Sequence, residues 1–587
     1  MKPSQRLFFV LPALLLIALI VIIPLALLLS PSQLVKGLSL ALSEPGSIAP
    51  VVGVEEPITV ADKPNCRLFI IRGADLGVIP NSLVVACLVS LASTLLGLLA
   101  ATGILLYRPL RISLVLALVA LLPYPFVEAY VVQRIFNPDY GLVNSILRPF
   151  GFCITFRGLA GVAVYQIAVF APLALILIYT YSIGVAREAY EAAVQHGVSL
   201  LQHTLLTARL SRPAVAASIS LIFVLSLDDV AGPYVFQQDP SARSLLAFRA
   251  YSYFMDTVTG TFSLSAIGYI AILTLLSLIA FIAAYPSIAV AYRAAPAGSM
   301  RYRAPLAMLD TRALPFIVGV VAAALLPAAL KLLAVAYGFS DRWVAELLPS
   351  PGFGGLRLLA ENPDIARGIA NSIVYTVISL LLLAPVAVTA AYAVARGYGR
   401  STALFDAVLM SPLAIPGIAV AYAVFFAYHD LLRGTILDPL ITPQLYLVLG
   451  YAARRLPLLY KLFQTAIASI PLELEEVATN LGAGVARKLA AIVAPLALQA
   501  SSYGAAYVAV SIASEVSLSI TIGGLGGSSG TTHPAPLMYL VASYMGFEGL
   551  KYAPALSAAM SILYAASIVL ALAVYRLFLL LLRNSYR

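Results

Sequence analysis

The chain has 587 residues, 61% of them hydrophobic and only 11% charged, with a formal net charge of +10 and a mean hydropathy of +0.96. Soluble proteins carry roughly 25% charged and roughly 45–50% apolar residues, so a water-soluble enzyme is excluded and lipid must solvate most of this chain. The Lys and Arg excess belongs at cytoplasmic membrane ends rather than on nucleic acid, and no nucleic-acid partner is expected.

The apolar runs are continuous rather than alternating, which excludes a β-barrel and predicts an all-α polytopic membrane protein. Lys2 and Arg6 precede an apolar run over 7–29. That run is too long for a signal-peptide core and has no small-x-small cleavage site at Ser30-Pro31, so it reads as a retained first helix with its N-terminus in the cytoplasm. Further spans are predicted near 79–107, 112–133, 158–182, 214–236 and 262–287. A second set lies near 314–336, 371–395, 403–427, 446–470, 497–520 and 557–581. About twelve crossings of about 20 residues each put both termini inside. The inner loops then hold Arg108, Arg111, Arg293, Arg301, Arg303, Arg312, Arg396 and Arg400, and the C-terminus ends with Arg583 and Arg587. The three cysteines, Cys66, Cys87 and Cys153, have no metal-type spacing. Cys66 and Cys153 could pair outside the membrane, although nothing in the sequence argues for the bond.

The two sets of spans share landmarks at a nearly constant offset. Asn81-Ser82 and Asn371-Ser372 lie 290 positions apart, Pro123 and Pro412 289, Pro172 and Pro457 285, and Asp229 and Glu515, each followed by Val, 286. Six spans per half give both halves the same orientation, so they read as parallel repeats about an axis along the membrane normal. The predicted domains are 1–291 and 314–587, joined by a basic cytoplasmic linker over 292–313.

A fifth landmark lies in cytoplasmic loops. Glu191-Ala192-Ala193-Val194-Gln195-His196-Gly197 stands between spans four and five, and Glu476-Val477-Ala478-Thr479-Asn480-Leu481-Gly482 between ten and eleven, 285 apart. Ala192, Ala193 and Ala478 let a short helix approach a partner's backbone. Gly197 and Gly482 permit a turn at positive φ. Glu191 and Glu476 place charge near a helix N-terminus, where the dipole favours it, or opposite a basic residue of a partner.

In these loops each half resembles the permease domain of binding-protein-dependent ABC importers, whose cytoplasmic signature is Glu-Ala-Ala, three residues, then Gly. The second copy departs with Val477 for the first Ala but keeps a proline at Pro495. The first has Arg209-Leu210 there, with Pro213 three residues late, which leaves its return helix open to a different geometry. The resemblance implies a type I importer fold with coupling loops at about 187–212 and 472–495. It also implies a pair of cytoplasmic ATPase subunits, an external substrate-binding protein and a multi-pass location in the cell's inner (plasma) membrane. The single-chain fusion is most similar to iron(III)-type systems; thiamine, polyamine, sulfate and phosphonate permeases are related. The chain contains no Gly-Lys pair and hence no phosphate-binding Walker motif. ATP and Mg would therefore bind partner subunits, with no cofactor or catalytic site in this chain. The run Gly523–Gly530 lacks the lysine and reads as an outer turn.

Charges inside spans cost roughly 2.5–3.5 kcal/mol on insertion scales. Asp228, Asp229 and Glu515 in the outer halves of spans five and eleven are candidates to line a translocation path, as are Arg454 and Arg455 around Pro457. The acidic ones could instead be helix-end groups reaching water or pairing with Arg; a carboxylate such as Glu515 could neutralise one of the two arginines, the favoured reading for them, and Lys461 could snorkel. His196 and His203 lack the further ligands a metal site needs. The rivals are an ion-gradient-driven secondary transporter and a membrane-embedded enzyme or scaffold, the last disfavoured by four scattered histidines.

Overall fold

The structure is a computed structural model that describes residues 3–50, 56–185, 192–193, 195–258, 263–294, 313–343, 346–397, 399–525, 534–547 and 551–584. Glu191, most of the linker and most of the glycine-rich run lie outside the described residues. The protein is an all-α polytopic membrane protein. Among the described residues eight helices are long and apolar enough to cross a bilayer: Gln5–Leu28, Val78–Leu106, Gly158–Ile183, Leu264–Ile288, Leu314–Gly338, Pro363–Ala395, Val485–Gly524 and Ala553–Leu581. Two bent pairs raise the number to ten if each is one span. They are Leu200–Leu210 with Arg212–Asp228, bent by 78°, and Arg400–Leu413 with Gly417–Leu432, bent by 90°.

Two of the twelve predicted spans do not meet that standard. The stretch 112–133 is broken between the helices Ser113–Ala120 and Val127–Ile135, where Pro123 and Pro125 cannot continue the hydrogen-bond ladder. The stretch 446–470 is one unbroken helix, Pro443–Ala468, made more polar by Arg454, Arg455 and Lys461. The prolines also shape the other helices. Ala18–Ile22, Val321–Leu325 and Leu489–Val493 are widened π-turns, each followed two residues on by Pro24, Pro327 or Pro495. A proline ring collides with the carbonyl four residues back, and one extra residue in the turn relieves the collision without breaking the helix. The displaced proline after the first Glu-Ala-Ala loop has a different outcome. Pro213 sits in the first turn of Arg212–Asp228, just past the 78° bend at Ser211, whereas Val485–Gly524 runs on through its π-turn.

Contacts divide the chain into two compact units that do not follow the sequence halves. One comprises Met1–Pro31, Pro363–Leu540 and Ala559–Arg587; the other comprises Ser32–Asn362 and Val541–Ala558. In the first, the opening helix packs on Pro363–Ala395 and Gly417–Leu432. In the second, Leu314–Gly338 packs on Val78–Leu106, Ser113–Ala120 and Val127–Ile135, so that Val320, Ala323 and Ala324 share a core with Leu98, Ala101, Ala171 and Leu175. Helix contacts in this unit are close because they are lined by small residues. A Cβ added to Gly268 would sit 2.2 Å from the Gly37 carbonyl oxygen, the close approach expected where lipid supplies no hydrophobic drive between helices.

The second unit also contains a small sheet that the sequence reading missed. Strands β1 (Ile58–Lys63) and β2 (Cys66–Ile71) form an antiparallel hairpin across Pro64-Asn65, and β3 (Phe152–Phe156) joins β2 in parallel, with Leu68 opposite Cys153. Cys66 and Cys153 form a disulfide there. The bond that sequence did not argue for follows from the β2–β3 register, which brings two cysteines 87 positions apart to neighbouring places.

Candidate functional site

The paired landmarks occupy equivalent local structures in their own units. Asn81 and Ser82 lie in the first turns of Val78–Leu106. Asn81 Nδ2 donates to the Ser244 carbonyl at 3.2 Å, and Ser82 Oγ accepts from the Leu246 N–H at 2.8 Å, the first residue of the helix Leu246–Val258. Asn371 Nδ2 likewise donates to the Ala535 carbonyl at 3.1 Å. Ser372 Oγ accepts from the Leu537 N–H at 2.8 Å, the first residue of Leu537–Phe547. Each Ser thus accepts an N–H that a helix start leaves without a partner, and each Asn binds a carbonyl just ahead of it. Ser82→Ala and Ser372→Ala are each expected to destabilise the protein by about 1–3 kcal/mol, because a buried N–H loses its acceptor. Thermal unfolding in detergent measures this, and an effect confined to one serine would break the equivalence.

The acidic landmarks both stand at helix breaks. Asp229 follows Arg212–Asp228, and its carboxylate accepts from the backbone N–H groups of Ala231 (3.1 Å) and Gly232 (3.3 Å), capping the short helix Ala231–Phe236. Gln166 Nε2 donates to it at 2.9 Å, while Gln166 Oε1 accepts from Ser226 Oγ at 2.6 Å. Glu515 lies between Ala494–Ala513 and Ser517–Thr521 and accepts from the Leu518 N–H at 2.9 Å. It also pairs with Arg454, Nε to Oε1 at 3.4 Å, both side chains being buried. The Arg454 guanidinium lies against Gly417, where an added Cβ would come within 2.7 Å of its Cζ; any larger residue would displace the charge. Arg455 Nε donates to the Ser511 carbonyl at 3.2 Å. Asp228 is half-buried at the helix end.

Four further charged residues in predicted spans form two interior pairs. Lys461 does not snorkel: its Nζ bonds Asp406 Oδ1 at 2.6 Å, and Tyr460 OH donates to the same oxygen at 2.5 Å. Glu128 and Lys331 form a fully buried ion pair between Val127–Ile135 and Leu326–Gly338. Glu128, Lys331 and Asp406 were not singled out from sequence, although each is a lone charge inside a predicted span, and that signal was there to be used. Gln166, neutral and unremarkable in sequence, could not have been found that way.

The second Glu-Ala-Ala-like loop is a short helix, Glu473–Asn480, with three acidic residues in its first turn, as the helix dipole favours. Its two adjacent central glutamates do different things. Glu475 is buried, bonding Arg396 Nε and Tyr392 OH at 2.7 Å each, and Arg396 in turn donates to the Ile470 carbonyl. Glu476 is exposed, and so are Leu474 (45%), Val477 (58%) and Leu481 (84%). Ala478 is half-buried. Gly482 ends the helix at φ +82° and Gly197 turns at φ +65° in the first loop, the left-handed conformation expected of them. Of that loop, Ala192 is exposed and Ala193 buried. After the turn Ser199 caps Leu200–Leu210, its Oγ accepting from the Gln202 N–H while Gln202 Oε1 accepts from the Ser199 N–H.

No group of three or more His, Cys, Asp or Glu side chains that could hold a metal ion occurs among the described residues. No protein-family model matches the chain, and no curated protein is significantly similar to it.

Proposed function

We propose that the chain is the fused permease subunit of an ATP-driven importer, with about twelve membrane crossings arranged as two parallel six-helix repeats. It forms the translocation path in the cell's inner membrane with both termini cytoplasmic. Paired ATPase subunits bind the coupling loops and carry ATP and Mg, and an external binding protein delivers the cargo. The resemblance of the loops puts iron(III) first among cargoes, then thiamine, polyamines and oxyanions such as sulfate or phosphonates.

The observation that carries this reading is the helix Glu473–Asn480. Its exposed Leu474, Val477 and Leu481 stand among exposed acidic residues while Glu475 fixes the opposite face, as a docking helix requires. Sidedness supports it as well. The disulfide joins two loops predicted outside, where oxidising conditions favour such bonds, and the Arg396–Glu475 pair joins two loops predicted inside. The matched Asn-Ser and acidic landmarks support the duplication.

In this mechanism ATP closes the ATPase dimer and draws the coupling helices together, so the path opens outward; hydrolysis returns it inward. Such coupling needs the ATPase to bind the two states with different affinity. In proteoliposomes holding the ATPase, Glu191→Ala with Glu476→Ala is expected to lower ATP-driven uptake at least about tenfold, or about 1.4 kcal/mol of coupling. Uptake unchanged by the pair, or uptake that needs no ATPase, overturns the reading. The second outcome would favour an ion-gradient transporter, for which the buried Glu128–Lys331 pair is the supporting feature.

A further inference from the structure

The acidic breaks of the two units differ in one respect that bears on cargo. Glu515 has a counter-ion in Arg454. Asp229 has none within ion-pair distance among the described residues; its partners are the neutral donors Gln166, Ala231 and Gly232. It also borders a small cavity lined by Ser82, Val85, Ser226, Leu227 and the helix start Leu245–Ala247, with about 10 Å³ of free volume, room for roughly one water-sized group. The polar side chains of the lining offer only acceptors. Ser82 Oγ and Ser226 Oγ have already given their protons, to the Val78 carbonyl and to Gln166, and the remaining side chains are apolar. A carboxylate removed from water without a counter-ion is costly. A cavity of acceptors suits a small group that carries both positive charge and several N–H donors.

We propose that the Asp229 cavity binds a single ammonium group, either the free ion or the head of an alkylamine. This deepens the importer reading and rests on it for the fate of the amine, since it makes the cargo an amine rather than iron(III) or an oxyanion. The –NH3+ group places its charge on Asp229 and its protons on Asp229 and the serine oxygens. A quaternary ammonium, which has no N–H and several times the volume, does not fit. Glu515 holds no cargo because Arg454 already neutralises it.

The test uses the full chain in lipid and infrared difference spectroscopy in the carboxyl region while buffer is exchanged for methylammonium. A carboxyl difference band is expected with methylammonium and absent with tetramethylammonium at equal ionic strength. The band should be lost, or require at least about tenfold more methylammonium, in Asp229→Asn, and persist in Glu515→Gln. An equal band with tetramethylammonium, no band in the parent protein, or a band that disappears only in Glu515→Gln overturns the proposal. The comparison of the two cations uses the unaltered protein and does not depend on how well a variant folds. Because no ATPase is present, a lost band with intact ATP coupling refutes only the amine site, and a retained band with failed coupling refutes only the importer.

Discussion

Replacing Lys331 by methionine is expected to destabilise the protein by about 3–5 kcal/mol, since it leaves Glu128 as an uncompensated charge in the interior. Both side chains are almost wholly inaccessible, and Glu128 Oε1 already lacks a hydrogen-bond partner. Most of the loss should return in Glu128→Leu with Lys331→Met, because a buried ion pair and a well-packed apolar pair of similar size differ little in net stability. Unfolding in mixed micelles measures both variants. The single substitution should loosen the packing of Leu326–Gly338 on Val127–Ile135 first, since the pair joins those two helices. Parent-like stability of Lys331→Met would show that the pair is not ionised.

Glu475→Ala and Glu476→Ala, one residue apart, are expected to behave in opposite ways. Loss of Glu475 strands Arg396 in a largely buried setting and frees one end of Glu473–Asn480. The helix should open locally with about 3 kcal/mol less resistance, which speeds amide exchange over 473–480 by about 100-fold. Loss of the exposed Glu476 should leave exchange unchanged and act only on the proposed docking of an ATPase. Mass-spectrometric hydrogen exchange separates the two, and equal acceleration by both would mean that the helix is held by something other than the Arg396 pair.

Long apolar segments were legible because a helix in lipid must be apolar along its whole length. The predicted span 158–182 and the helix Gly158–Ile183 nearly coincide. Interrupted segments were not, because hydropathy averages over breaks: nothing in 214–236 distinguishes a straight helix from one that ends at Asp229. The strands were missed for a different reason. Ile58–Lys63 and Cys66–Ile71 are short and half-exposed, and their sign was the β-branched residues on either side of Pro64-Asn65, easily lost beside runs four times as long. The π-turns at Pro24 and Pro327 are another shared landmark, but they lie 303 positions apart, outside the offset that aligned the others. At the candidate site the sequence marked Asn81-Ser82 and Asn371-Ser372 without giving their purpose, since the helix starts they serve are some 160 residues away. It also raised Glu515 as the partner of one of the two arginines, and the structure shows that the partner is Arg454.

The exchange of opening segments between the sequence halves has a consequence for assembly. Gln5–Leu28 fills a core built by residues from 363 onward, and Leu314–Gly338 fills one built by residues before 215. Scission of the tether over 295–312 would therefore give two polypeptides, each still owing a helix to the other. Expressed singly, neither could complete its own interior; expressed together, they should interlock and copurify without a peptide bond between them.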